Sequence, residues 1–324
     1  APLMVYTAVR RHHGNLKNLG TERNLKGEDI KLLWIQLEAL PTAVGEMLQH
    51  LLGSHMALPP WEQVQAELLT ASFAKKLRDS MNQLDFESDW PDMSLAPRLE
   101  AFYSHQWLYG CLLRADKEDC ILEGPQTLLP LPYTAISDYR ERMGWTAPKR
   151  EIDQLKNRAY TESLAELERV FDPGQGFYSV PLPTGLGKTM PSLALGFKMA
   201  ALAGMDDPRI VICIPFTSII DQNAQVYEEV LQQPGSDLLL LHHHRAEPDY
   251  KRSEDSQPNE DQSQFLIETW QSRVIISTFV QLLETIFSAS KTRMLKLPAL
   301  ANAIVMLDEV QQIPWSLWEP FKAA

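Results

Sequence analysis

Residues 177–189 read FYSVPLPTGLGKT, and a helix-favouring stretch, MPSLALGF, follows. A short apolar run, a glycine-containing turn, a lysine and a hydroxyl residue in that order leave few folds open. Gly185 and Gly187 let backbone amides approach phosphate oxygens, with Thr184 and Leu186 completing the loop. Lys188 supplies a point charge to terminal phosphates. The hydroxyl of Thr189 is placed to hold Mg²⁺, and the N-terminus of the following helix adds partial positive charge.

The commonest version of such a loop carries a glycine where Leu182 stands here. The P-T-G-x-G-K-T version found in helicases fits instead. Its partner is a buried strand ending in acids, and AIVMLDEVQQ, residues 303–312, supplies one. Asp308 is then expected to hold Mg²⁺, and Glu309 to polarise the water that attacks the γ-phosphate of ATP.

Further apolar runs, RIVICIP, DLLLLH and RVIIST, lie between these two motifs, separated by helix-like stretches. With FYSVPL and AIVMLDE they predict a mostly parallel sheet flanked by helices. Residues 1 to about 145 differ. KLLWIQLEALPTAVGEMLQHLL and PRLEAFYSHQWLYGCLLRA space their apolar residues by three and four, which predicts helices. The expected organisation is an α domain over 1–147 and an α/β domain over 148–324, divided at WTAPKR. The polar segment at about 244–264 is expected to be a surface loop.

The totals narrow the class. The 324 residues suffice for about two cores. No apolar run is long enough to span a membrane. Three cysteines, Cys111, Cys120 and Cys213, show neither disulfide nor metal spacing, which suits a cytoplasmic protein. The net charge of −12 gives no overall attraction for nucleic acid, although residues 1–26 gather five basic residues against Glu22. The start at Ala1 and the end soon after the acidic motif predict a piece of a longer protein.

Two other places carry polar chemistry. Pro215, Thr217 and Ser218 follow RIVICI, and Ser277 and Thr278 close RVIIST. Hydroxyls and helix-start amides there either cap helices or hold the backbone phosphates of a nucleic-acid strand. Near the N-terminus RRHHG sets His12 and His13 before Gly14, where glycine in the left-handed conformation is expected to stop a short helix. Read alone, the pair is either a surface feature or two ligands for neighbouring metals.

The series LPTGLGKT, IPFTSIIDQ, STFVQLLE and LDEVQ resembles the first motor domain of superfamily 2 helicases. In detail it is similar to the CRISPR-associated helicase-nucleases of type I interference systems, whose acidic box ends D-E-V-Q or D-E-V-H. That family carries an N-terminal HD nuclease domain, a helical metal-dependent phosphohydrolase fold. RRHHG matches its His-His-Gly element, and LLRADKEDC matches its later aspartate element, with Asp116 as ligand and Asp119 as companion. The family's earlier histidines and His-Asp pair, and its second motor domain with an arginine finger, have no match here.

The resemblance implies an HD-type helical nuclease part followed by a RecA-like first helicase domain. It implies ATP and Mg²⁺ at Thr184, Gly185, Leu186, Gly187, Lys188, Thr189 and Asp308. Lys188, Asp308 and Glu309 would carry hydrolysis, and Gln311 would couple the nucleotide to a second domain. Pro215, Thr217, Ser218 and Thr278 would face single-stranded DNA. His12, His13 and Asp116 would hold transition metals, and such His-plus-carboxylate sets suit Mn, Fe, Co or Ni better than Mg. The implied partner is an RNA-guided multi-subunit CRISPR surveillance complex. Two further readings stay open: a translocase with an inactive HD docking domain, and a non-catalytic nucleotide-binding fragment.

The resemblance implies an adenine contact upstream of the loop, at Gln154, at Arg158 or at neither. His242, His243 and His244 alternate faces on a strand and cannot converge on one ion. Trp270, Trp315 and Trp318 suit packing better than base stacking.

Overall fold

The computed structural model describes residues 2–11, 14–16, 27–39, 59–81, 94–122, 124, 126–182, 186–215, 217–243, 250–253 and 257–323. Contacts divide the chain into two compact units, Ala1–Tyr109 and Gly110–Ala324.

The described part of the first unit is helical. It contains α1 (Pro2–Arg11), α2 (Gly27–Glu38), α3 (Trp61–Leu68), α4 (Ala71–Met81) and the start of α5 (Leu95–Ile121). Thr70 caps α4, its hydroxyl accepting from the Phe73 amide at 3.0 Å. The indole N–H of Trp34 on α2 donates to the Leu68 carbonyl at the end of α3, at 3.3 Å. Inside the unit the Thr7 hydroxyl meets Nε2 of buried His105 at 2.6 Å. Burial lowers the His105 pKa to about 4. The helix that leads towards His12 ends at Arg11, and the Gly14 amide closes a turn on the Arg11 carbonyl at 2.7 Å. Gly14 is not among the residues with positive φ, so the stop does not use the expected left-handed glycine.

In the second unit, α6 (Ala135–Arg142) and α7 (Glu151–Val170) precede α8 (Thr189–Leu202). There follow β1 (Arg209–Ile214), α9 (Thr217–Val230), β2 (Leu239–His242), α10 (Glu260–Glu268), β3 (Val274–Thr278) and α11 (Phe279–Phe287). The unit continues with α12 (Lys291–Met294), α13 (Leu297–Leu300), β4 (Ala303–Leu307) and α14 (Trp318–Ala323). The expected division at 147/148 falls in the turn between α6 and α7.

The described strands form a parallel sheet in the order β2-β3-β1-β4. The inner strands β1 and β3 are rich in isoleucine and valine and buried almost throughout, as strands covered on both faces must be. Ile210, Ile212, Ile214, Val274 and Ile276 meet Leu193 and Phe197 of α8 and Ile220, Ala224 and Tyr227 of α9 in the main core. Gly196 lets α8 close on the sheet: a β-carbon there would lie 2.8 Å from Sδ of Met306 and 3.2 Å from Cγ2 of Ile210.

Two expectations need correction. FYSVPL forms no ladder: residues 175–182 are irregular, and Phe177 and Val180 are 66% and 49% exposed. Its apolar composition suits a strand, but among the described residues no strand pairs with it. The polar segment near 244–264 ends in a helix, because Asn259 and Gln262 form a reciprocal capping box that starts α10. As expected, His242 is structural. Its Nδ1 accepts from the indole of fully buried Trp270 at 2.9 Å.

Candidate functional site

The parallel strands deliver β1, β3 and β4 to one carboxyl end, where open α/β sheets place their ligands. At that end Lys188 is the N-cap of α8, and Asp308 and Glu309 leave β4. The Asp308 amide donates to the Cys213 carbonyl at 3.0 Å, which fixes the acid just past the β1–β4 ladder. Glu309 has φ 56° and ψ 46°, a left-handed conformation in which a residue with a β-carbon is uncommon. That turn points the second acid to Lys188: Nζ of Lys188 lies 3.5 Å from Oε1 of Glu309, with both side chains about a third exposed.

Asp308 is half-buried, and its carboxyl pKa is raised. Burial is the largest cause and the Glu309 charge the next; Lys188 acts in the opposite direction. A carboxylate so destabilised gains most from a cation. Thr189 opens α8, and its hydroxyl donates to Oδ1 of Asn223 on α9 at 2.8 Å. One turn further along α9, the hydroxyl of buried Tyr227 donates to the Thr189 carbonyl at 3.2 Å. Gln311 donates its amide to Oε2 of Glu309, which ties the expected coupling residue to the expected base.

Gly187 has φ +71°, and a side chain would strain the backbone there. Leu186 borders a cavity of about 360 Å³ shared with Leu155, Arg158, Ala159, Glu162, Ser163 and Leu182. Arg158 and Glu162, four residues apart on α7, pair at 2.7 Å on its rim. Gln154, the other candidate for the base, does not line it.

The remaining expected residues are less gathered. Thr184 and Gly185, like His12 and His13, lie outside the described residues, and the side chains of Thr217 and Ser218 are not described. Pro215 is half-buried directly after β1. Thr278 is buried and caps α11, accepting from the Gln281 amide at 3.2 Å. Asp116 and Asp119 are exposed on α5. Among the described residues no three His, Cys, Asp or Glu side chains form a group able to hold a metal. No described helix is long and apolar enough to cross a membrane.

Sequence reasoning missed Asn223 and Tyr227. The signal was present: Ile220, Ala224 and Tyr227 mark the buried stripe of α9, and Asn223 is a polar residue beside that stripe.

A helical unit followed in sequence by a parallel, RecA-like α/β unit is therefore the fold class of the chain. No family model matches the sequence. The chain is 32% identical over 197 residues to the CRISPR-associated nuclease/helicase Cas3 of Haloferax volcanii, covering 57% of this chain and 20% of that protein. It also superposes on the crystal structure of T. fusca Cas3-ATP with a TM-score of 0.50 at 17% identity, over 97% of this chain and 34% of the other. The chain is thus similar to part of a Cas3 nuclease/helicase and spans about a fifth of the curated relative's length.

Proposed function

We infer that the second unit is the ATP-binding half of a cytoplasmic DNA motor acting in CRISPR interference. The observation that carries this reading is the approach of Lys188 to Glu309 at 3.5 Å beside half-buried Asp308. Lysine, base and metal-binding carboxylate meet at the N-terminus of one helix, as phosphoryl transfer requires.

ATP seats its phosphates at residues 184–189 and its base in the cavity beside Leu186. The apolar walls of that cavity, Leu155, Ala159 and Leu182, suit a flat ring. Lys188 leaves Glu309 for the terminal phosphates, which are the stronger anions. Glu309, released, accepts the proton of the attacking water. Thr189 and Asp308 offer a hydroxyl and a carboxylate, the oxygen donors that Mg²⁺ prefers. When bound, Mg²⁺ neutralises charge on the phosphates. Gln311, bonded to Glu309, reports the state of that carboxylate to a second motor domain. Single-stranded DNA runs over the starts of α9 and α11, at Pro215, Thr217 and Ser218, while buried Thr278 shapes the second of these helix starts as its cap. An RNA-guided surveillance complex supplies that strand.

The nuclease half of the reading is supported by the RRHHG and LLRADKEDC resemblance and by the relative's printed activity. Exposed Asp116 has no described metal-binding group around it, so no chemical step is assigned there.

The test is ATP binding and hydrolysis by the chain with a second motor domain appended, with and without single-stranded DNA. DNA-stimulated turnover that disappears in Lys188→Ala supports the motor. Turnover indifferent to DNA refutes it. ATP bound without turnover under every condition favours the non-catalytic fragment.

A further inference from the structure

The opposite rim of the same sheet carries an arginine cluster that the motor reading does not use. Ile210 pairs with Val274 across the parallel ladder, and the Ile210 amide donates to the Arg273 carbonyl at 2.9 Å. Arg209 and Arg273 therefore stand side by side where β1 and β3 begin. Neighbouring like charges on adjacent strands repel, and an arginine in a protein cannot shed its proton.

The two guanidinium groups are served very differently. Arg273 is sealed in the core, 2% exposed. It donates to the carbonyls of Leu128, Leu129 and Pro208 and pairs with Asp207 at 2.8 Å. Arg209 is half-buried, and its Nε is buried with no acceptor among the described residues. Arg114, on α5, adds a third positive charge near Arg209. It bonds Gln271 and faces Glu118 at 3.4 Å. Glu118 and Asp207 are thus engaged by Arg114 and Arg273; Asp207 also attracts Arg209, yet the Arg209 Nε keeps no acceptor among the described residues.

We propose that Arg209, backed by Arg114 and Arg273, forms a binding site for a phosphate-type oxyanion, separate from the nucleotide loop at the other end of the strands. Guanidinium forks recognise such oxygens through paired, charge-assisted hydrogen bonds. Arg209 supplies the unpaired donor, and Arg114 and Arg273 add positive charge from a helix and the neighbouring strand. Three neighbouring cations favour a doubly charged phosphate over a singly charged carboxylate. The oxyanion is either free phosphate or a phosphodiester of a nucleic-acid strand.

The experiment is calorimetric titration of inorganic phosphate into the full 324-residue chain at low ionic strength. Lys188→Ala is the parent, so that the loop does not contribute. Phosphate binds the parent. Arg209→Gln weakens binding by at least about tenfold, while Arg209→Lys keeps part of it. Thermal melts of both variants show that they remain folded. A short oligothymidylate that competes with phosphate identifies the phosphodiester as the source, and one that does not identifies the free ion. No phosphate binding in the parent, or equal binding in Arg209→Gln, overturns the proposal. Acetate binding as tightly as phosphate overturns it too, since the site would then serve an acidic side chain of a protein.

Discussion

Lys188 and Glu309 face one another at 3.5 Å, so the base of the proposed motor is occupied by the lysine that will bind phosphate. Nucleotide must compete for that lysine. Glu309→Gln removes the competition and the proton acceptor together. ATP affinity is expected to hold or rise in this variant, while turnover falls about a hundredfold or more. Fluorescent-nucleotide titration and single-turnover hydrolysis measure the two effects separately. Weaker ATP binding with unchanged turnover would remove Glu309 from the proposed role.

Asn223 directs the Thr189 hydroxyl through a 2.8 Å hydrogen bond. The hydroxyl hydrogen points to Asn223, which leaves the oxygen lone pairs for a cation. Asn223→Ala loses that orientation, and the Mg²⁺ concentration for half-maximal ATP binding is expected to rise about tenfold. An unchanged Mg²⁺ dependence would make the bond a packing contact only.

His242 makes stability depend on pH. Burial, reinforced by the charges of Lys296 and Arg293, lowers its pKa from 6.5 to about 3. The folded state needs the neutral ring, whose Nδ1 accepts from Trp270, whereas the unfolded chain takes up a proton below pH 6.5. The contribution is complete above pH 6.5 and declines as the pH falls towards about 3. Melting temperatures from pH 8 to pH 4 should fall less steeply in His242→Gln than in the parent. Equal slopes would assign the acid sensitivity to other groups.

Gly196 faces Met306 and Ile210 too closely to admit a side chain. Gly196→Val should push α8 off the sheet and cost about 1–3 kcal/mol or more. Urea denaturation measures this. A wild-type midpoint would show that Met306 swings aside freely.

The inner strands were legible because burial on both faces writes an unbroken apolar run, as in RIVICI and VIIST. The long helix Leu95–Ile121 was legible from the spacing in PRLEAFYSHQWLYGCLLRA. FYSVPL has the same composition without the ladder, because a strand is made by its neighbour and not by its residues alone. The phosphate-loop lysine and the two acids could be named from order and type. Their mutual contact could not, since it depends on the left-handed turn at Glu309, a residue type that gives no warning of it. Asn223 was missed for a related reason: one amide beside an apolar stripe shows its use only when Thr189 lies opposite.

Among the described strands β4 has a ladder on one flank, to β1, and Val305 at its middle is 39% exposed. The two acids are the next residues after it. Whatever leans on that bare flank moves them as a hand moves the tip of a lever, with the fulcrum along β1. The timing of the proposed hydrolysis is therefore open to mechanical control from the outer flank of β4.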